Sequence, residues 1–135
     1  MIISSIWEPH LDQLKSIDFK SYYWPWYDEG WKTANEYTFR VLADSKHVYG
    51  FYCFQEQQNT IFLAKLCIHP LFRRNGLGWK LHKDFINNLK KPAVTVLHEE
   101  SEYLELARSW GWIATKILSE LYPDKSDGYV FRRKL

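Results

Sequence analysis

Apolar and polar positions keep a two-residue rhythm in the first half of this chain. In "EYTFRVLA", residues 36–43, Tyr37, Phe39 and Val41 alternate with Thr38, Arg40 and Leu42. "ADSK" then reads as a turn. "HVYGFYCFQE", residues 47–56, is strongly β-prone, and Gly50 within it predicts a bulge or a close backbone approach. After the turn "QQNT" comes "TIFLAKLCI", residues 60–68, almost wholly apolar, as a central strand covered on both faces is. Together these runs predict an antiparallel meander.

The flanking segments follow other periods. "IISSIW", residues 2–7, reads as a short first strand. "EPHLDQLKSID", residues 8–18, predicts a helix with Pro9 in its first turn and Leu11, Leu14 and Ile17 on one face. Residues 19–35 are crowded with aromatics and broken by Pro25 and Gly30, which predicts a loop or short helix. Beyond the meander, Leu77, Leu81, Phe85 and Leu89 recur every fourth position, an amphipathic helix running to Lys90-Lys91 and closed by Pro92. "AVTVLH", residues 93–98, is a further strand. Ser101 is placed to cap a second helix with Tyr103, Leu106, Ala107 and Trp110 on one stripe, and Gly111 to end it. "WIATKILSEL" and "YVFRRKL", joined by "YPDKSDG", predict a closing strand pair. The order is β-α-(α)-β-β-β-α-β-α-β-β, an α+β fold with a mixed, mostly antiparallel sheet, in one domain over residues 1–135.

Composition narrows the function classes. Hydrophobic residues make up 46% and charged residues 25%, as in an ordinary folded soluble protein. A net charge of +2 argues against a general nucleic-acid binder. Aromatics reach 18%, enough to fill a core, line a pocket or offer stacking faces. Cys53 and Cys67 lie in apolar runs and read as reduced core residues of a cytoplasmic protein, a single disulfide being the alternative. Neither a CxxC nor a His pair at ligand spacing is present, so no metal site is expected. No apolar run approaches the length of a membrane span, and the N-terminus does not read as a signal peptide.

The chemistry concentrates in "HPLFRRNGLGWKLH", residues 69–82. Two of six glycines and two adjacent arginines stand between a buried strand and the start of a helix. A helix N-terminus offers unpaired backbone N–H groups and partial positive charge, and glycine lets the main chain approach a ligand closely. Arg73, Arg74, Asn75, Gly76, Leu77 and Gly78 therefore suit a diphosphate. Charge-assisted hydrogen bonds contribute about 1.5–3 kcal/mol each. A few of them approach the roughly 8 kcal/mol of micromolar affinity. The plain alternative is a surface turn with a helix cap. A dinucleotide-binding loop fits less well, because the spacing is not GxGxxG and no βαβ unit opens the chain.

"LCIHPLFRRNGLGWKLH" closely resembles the acetyl-CoA-binding motif of the GNAT superfamily of acyl-CoA N-acyltransferases. The family pattern, Arg/Gln-x-x-Gly-x-Gly/Ala after a strand ending in V-x-P, maps onto Arg73, Gly76 and Gly78, with Ile68 and Pro70 in place. The element order is similar over nearly the whole chain. The resemblance implies the GNAT fold, with helices on both faces of the sheet, and acetyl-CoA as cosubstrate without a metal. It also implies pairing of the pantetheine arm with the backbone of Leu66, Cys67 and Ile68. Within the superfamily the chain looks most like the ribosomal-protein N-terminal alanine acetyltransferase type. "WPW", with Trp24 and Trp26, and "LYPDKSDG", with Tyr122, correspond to the segments that flank the acceptor peptide in that type.

The same resemblance implies direct attack of an amine on the thioester, with no covalent enzyme intermediate. It places the base at Glu99, after "AVTVLH". Because the segment to Gly111 is about four residues shorter than usual, His98 and Glu100 are alternatives, and strand alternation keeps Glu99 and His98 from entering one cleft together. The position where many members carry an acidic Tyr is Ala107 here. Tyr103, one turn earlier, and Tyr122 are the remaining candidates for the acid; for Tyr103 core packing is the plain reading. A thiolate with pKa about 8.5 leaves without strong assistance. The expected acceptor is a primary amine, either a protein N-terminus or a small molecule, and the expected state is a monomer or homodimer. A GNAT-fold binding protein with little catalysis is the rival from another class.

Overall fold

The computed structural model describes residues 1–21 and 25–135. These fall into two contact-dense units, Met1–Gln55 with Leu63–Asn88, and Glu56–Phe62 with Leu89–Leu135. The first carries β1 (Ile2–Ser4), α1 (Leu11–Ser21), α2 (Asp28–Trp31), β2 (Thr38–Ala43), most of β3 (Val48–Glu56) and of β4 (Ile61–Ile68), and α3 (Leu77–Asn87). The second carries β5 (Ala93–His98), α4 (Tyr103–Ser109), β6 (Ile113–Leu118) and β7 (Gly128–Arg133). Hydrogen-bonded strand order is β1-β2-β3-β4-β5-β7-β6. Among the pairs whose register is described, β4 with β5 is parallel and the others are antiparallel, so the sheet is mixed and mostly antiparallel as the α+β reading expected.

Strand alternation sorts the first unit into two faces. Phe39, Val41, Phe51, Cys53 and Cys67 face Leu14 and Ile17 of α1 and Trp31 of α2, and all are buried. Arg40 and Tyr52, partners in the β2–β3 register, turn the other way toward α3. There Phe85 meets Tyr52 at 5.5 Å and Phe54 at 6.0 Å between ring centroids. Helices therefore cover both faces of this unit. Asp84 of α3 accepts from Nε and Nη2 of Arg40, each at 3.1 Å, and from the Tyr52 hydroxyl at 2.6 Å. Burial opposes ionisation of Asp84, yet these donors hold its carboxyl below the usual range. The helix is thus fixed in register as well as packed.

Several boundaries move for identifiable reasons. The first strand ends at Ser4, and Trp7 leaves it to stack on Phe39 at 4.5 Å. Pro9 opens the first helix as a 3-10 turn, Glu8–His10, before α1 begins. α3 stops at Asn87 instead of reaching the two lysines, and the Asn88 side chain takes the Asp84 carbonyl at 2.7 Å. Lys91 instead pairs with Glu56 at 2.8 Å. Gly50 fulfils both readings made of it. The β2–β3 register slips beside it, between Leu42 and Ala43. A Cβ at Gly50 would also stand 2.6 Å from the Cys67 carbonyl oxygen. Gly111, at φ +92°, follows the end of α4 as expected.

Candidate functional site

In the first unit the site grows from the end of β4. Leu66, Cys67 and Ile68 are buried, and the chain then leaves the sheet through His69 and a 3-10 turn over Pro70–Phe72. The His69 N–H donates to the Tyr49 carbonyl at 2.8 Å, and its Nδ1 accepts from the Leu71 N–H at 3.1 Å. Phe72 is wedged among rings, 4.6 Å from Tyr49, 5.2 Å from His69 and 5.5 Å from His47. Burial, with Lys20, Arg73 and His47 nearby, pushes the His69 imidazole below its ordinary value, so it is neutral at physiological pH.

Arg73 is extended, and its guanidinium turns back, donating from Nε to the Ile68 carbonyl at 3.1 Å and from Nη2 to Ser21 Oγ at 2.9 Å. The side chain thus ties the loop to β4 and α1. Arg74 takes φ +66°, the left-handed region that L-residues rarely enter, and is exposed. Asn75 donates to the Phe72 carbonyl at 3.3 Å. Gly76, again left-handed at φ +76° and ψ 8°, is the N-cap of α3 and supplies no side-chain cap. The first intrahelical bond runs from Lys80 N–H to Gly76 O, so the amides of Leu77 and Gly78 belong to the open end of the helix. No acidic residue occupies that first turn. A Cβ built on Gly76 meets nothing within 4 Å. A concave backbone with open space over it, at the positive end of a helix and beside an exposed arginine, fits a phosphate group.

Between β4 and α1 lies a buried ion pair. Lys65 Nζ stands 2.7 Å from Asp18 Oδ1, with side-chain exposures of 4% and 0%. Asp18 also accepts the Trp26 N–H at 2.8 Å, and Lys65 lies 4.6 Å from the centre of the Trp26 ring. Burial pushes the Asp18 carboxyl up, opposed by Lys65. Lys65 is thereby a structural cation. Cys67 is completely buried, and burial with the Asp18 carboxylate drives its thiol far above the ordinary value, so it is no nucleophile.

Trp26 packs on Trp31 at 5.2 Å and on Tyr37 at 5.0 Å. With Lys15, Phe19, Tyr27 and Trp31 it also lines a surface cavity of about 380 Å³. It therefore covers the core and borders a groove at once. Trp24 lies outside the described residues.

In the second unit the candidates gather around His98, the last residue of β5. His98 is 7% exposed, whereas Glu99 and Glu100 are exposed. Its ring lies 4.8 Å from the half-buried Tyr122 ring, and burial pushes the Tyr122 hydroxyl up, keeping it protonated at neutral pH. Glu99 N–H donates to the Asp127 carbonyl at 3.0 Å. Glu99 and Tyr122 are thus held on one corner. Tyr103 opens α4, whose N-cap is Glu102 and not the expected Ser101; Ser101, one residue earlier, still accepts the Tyr103 N–H on its Oγ at 3.1 Å. Its ring meets Trp110 at 6.5 Å along the helix stripe, while Ala107 is buried and Leu106 faces outward.

Sequence reasoning did not find Asp18, Ser21, Asp84, Asp124 or Ser126. Each acts across a separation in sequence or inside a turn, where no periodic signal exists. For Ser126 the "KSDG" run announced a turn but not its partner.

The chain matches the model of the acetyltransferase (GNAT) family over residues 4–108. No curated protein matches it significantly. Among solved structures, the ribosomal-protein-S18-alanine N-acetyltransferase of Escherichia coli is similar with TM-score 0.86 at 20% identity, covering 98% of this chain and 92% of that one. Ard1 of Thermoplasma volcanium gives TM-score 0.89 at 17% identity over 99% and 97%. A GNAT family acetyltransferase of Elizabethkingia anophelis, solved with acetyl-CoA bound, gives 0.82 at 17% over 99% and 97%. At such identities the structures attest the fold, and the family model, spanning most of the chain, settles the rest: this protein belongs to the GNAT acetyltransferase family.

Proposed function

We propose that this chain is an acetyl-CoA-dependent N-acetyltransferase acting on the α-amine of a protein or peptide. The observation that carries the cofactor reading is Gly76, left-handed at the mouth of α3 with open space over its Cα. The residues present fit coenzyme A. Main-chain amides from Arg74 to Gly78, with the exposed Arg74 side chain, would hold the diphosphate. Arg73 contributes its main chain while its guanidinium braces the loop. The backbone of Leu66, Cys67 and Ile68 would hold the pantetheine arm. Acetyl-CoA supplies an acyl group activated as a thioester. Among the described residues no group of side chains suited to a metal ion occurs, and the reaction proposed calls for none.

The acceptor follows from proton energetics. A lysine amine, with pKa about 10.4, costs about 4.6 kcal/mol to neutralise at pH 7. An α-amine near 7.7–8.0 costs only about 1 kcal/mol. An exposed carboxylate such as Glu99 is too weak a base for the first task and sufficient, through water, for the second. The E. coli structure named above acetylates an alanine of a ribosomal protein, which supports the same acceptor class here. With Ala107 at the position where a tyrosine acid is common, Tyr122 is the proposed donor to the leaving thiolate, since its hydroxyl stays protonated. Tyr103 packs on Trp110 and is the lesser candidate. The buried neutral Cys67 fits direct attack without an acyl-enzyme.

Two buried thiols accord with a cytoplasmic protein. Among the described residues no helix is long and apolar enough to cross a membrane. Ala107 favours one second reading, a family member that binds acetyl-CoA without turnover. Calorimetry with acetyl-CoA and thiol release over panels of peptides, polyamines and aminoglycosides separate the readings. Binding with release on peptides alone supports the α-amine acceptor. Release on small amines alone overturns it, and binding without release selects the second reading.

A further inference from the structure

We infer that His98 is a positioning residue for acetyl transfer, which as a neutral Nε2–H imidazole locks the corner carrying Glu99 to the turn carrying Tyr122. The inference rests on the reading that those two residues serve the reaction. Its evidence is a continuous hydrogen-bond chain within the second unit. The Glu100 N–H approaches His98 Nδ1 at 3.0 Å. His98 Nε2 is 2.7 Å from Ser126 Oγ. The Ser126 hydroxyl makes a short hydrogen bond to Asp124 Oδ1, which also accepts the Ser126 N–H at 3.0 Å.

These bonds point to one arrangement of protons, with Asp124 as the carboxylate. A backbone N–H can only donate, so Nδ1 must be the bare, accepting nitrogen. A carboxylate oxygen can only accept, so the single Ser126 proton goes to Asp124, and Ser126 Oγ must accept from Nε2–H. The histidine is therefore neutral and of one tautomer. The turn it holds is itself closed by Tyr122 N–H to the Ser126 carbonyl at 3.2 Å and by Lys125 N–H to the Tyr122 carbonyl at 2.8 Å. On the strand side, Glu99 N–H reaches the Asp127 carbonyl at 3.0 Å. His98 thus joins both candidate residues while remaining 7% exposed, which suits a brace better than a group that meets substrate.

An Nδ1–H tautomer would face the Glu100 N–H, and that contact would turn repulsive.

The test uses the full chain. Imidazole ¹⁵N spectra at pH 8 should show His98 as the Nε2–H tautomer; the Nδ1–H tautomer or an imidazolium there overturns the inference. In steady state, Ser126→Ala and His98→Ala should each raise the peptide KM about tenfold, the loss of one partly buried hydrogen bond. Both should leave the acetyl-CoA KM unchanged. His98→Asn, whose amide oxygen can still accept from Glu100, should recover part of the loss and serves if Ser126→Ala fails to fold. Wild-type turnover with unaltered peptide KM in these variants overturns the inference alone. A wild type that turns over no amine overturns the parent reading and the inference with it.

Discussion

Arg73 Nε donates to the main-chain oxygen of Ile68 at 3.1 Å, closing the cradle loop onto the last residue of its own strand. A side chain that the loop sequence marks as an anion ligand also braces the loop, with Ser21 of α1 as its second partner at 2.9 Å. Arg73→Ala should weaken acetyl-CoA binding about tenfold, near 1.4 kcal/mol, and lower the thermal midpoint. Arg73→Lys should not rescue it, because one ammonium cannot span both acceptors as a planar fork does. Calorimetry on the two variants checks this; full rescue by lysine would show that only the charge matters.

Gly76 separates backbone demand from charge. At φ +76° with open space over Cα, alanine meets no clash but should cost about 1 kcal/mol of stability through its backbone. Asparagine tolerates the left-handed region better and keeps the shape of aspartate. Gly76→Asp should therefore bind acetyl-CoA at least about tenfold more weakly than Gly76→Asn, with the gap narrowing in high salt. Equal affinities of the two variants would show that no phosphate lies there.

The Lys65–Asp18 pair is buried between β4 and α1, and removing one partner leaves the other buried without its counter-charge. Lys65→Met should destabilise the protein by about 3–5 kcal/mol, measured by urea unfolding. Adding Asp18→Leu should return most of that loss, since an apolar pair of similar volume avoids the desolvation cost. A double variant no more stable than Lys65→Met alone would contradict this.

Asp44 links the β2–β3 turn to the loop, through Tyr49 and its contact with Phe72. The Tyr49 hydroxyl, then the N–H groups of Lys46 and His47, hold the Asp44 carboxyl at about 2, against 3.8 ordinarily. A carboxyl depressed in the folded state contributes stability that is complete above the unfolded value and is lost as pH falls through the folded one. Wild type should therefore lose its advantage over Asp44→Asn between pH 3.8 and about 2. Parallel pH profiles of the two unfolding midpoints would contradict that coupling.

Most of the fold was legible because period and punctuation agreed. The alternation of Phe39 and Val41 with Arg40, the four-residue spacing from Leu77, and Gly111 after α4 each specify a backbone locally. The left-handed turn at Gly76 was legible for the same reason, since glycine answers a local demand on φ. The bracing was not. Arg73 and Lys65 carry charge that the sequence shows, but their partners Ile68, Ser21 and Asp18 are chosen by packing. His98 was weighed as a base, and its link to Ser126, 28 residues on, leaves no mark on the local pattern. Glu99 and Glu100 lie outside the strand, so alternation did not decide between them.

Backbone amides from Arg74 to Gly78 are proposed to receive the diphosphate of coenzyme A. The most direct measurement is a ¹H–¹⁵N titration of the labelled protein with acetyl-CoA, beside one with acetyl-pantetheine, which lacks the diphosphate. The account expects the amides of Arg74, Asn75, Gly76, Leu77 and Gly78 to shift with the first ligand and stay in place with the second. If they remain unmoved by millimolar acetyl-CoA, or move equally with both, the cradle is not where the diphosphate binds.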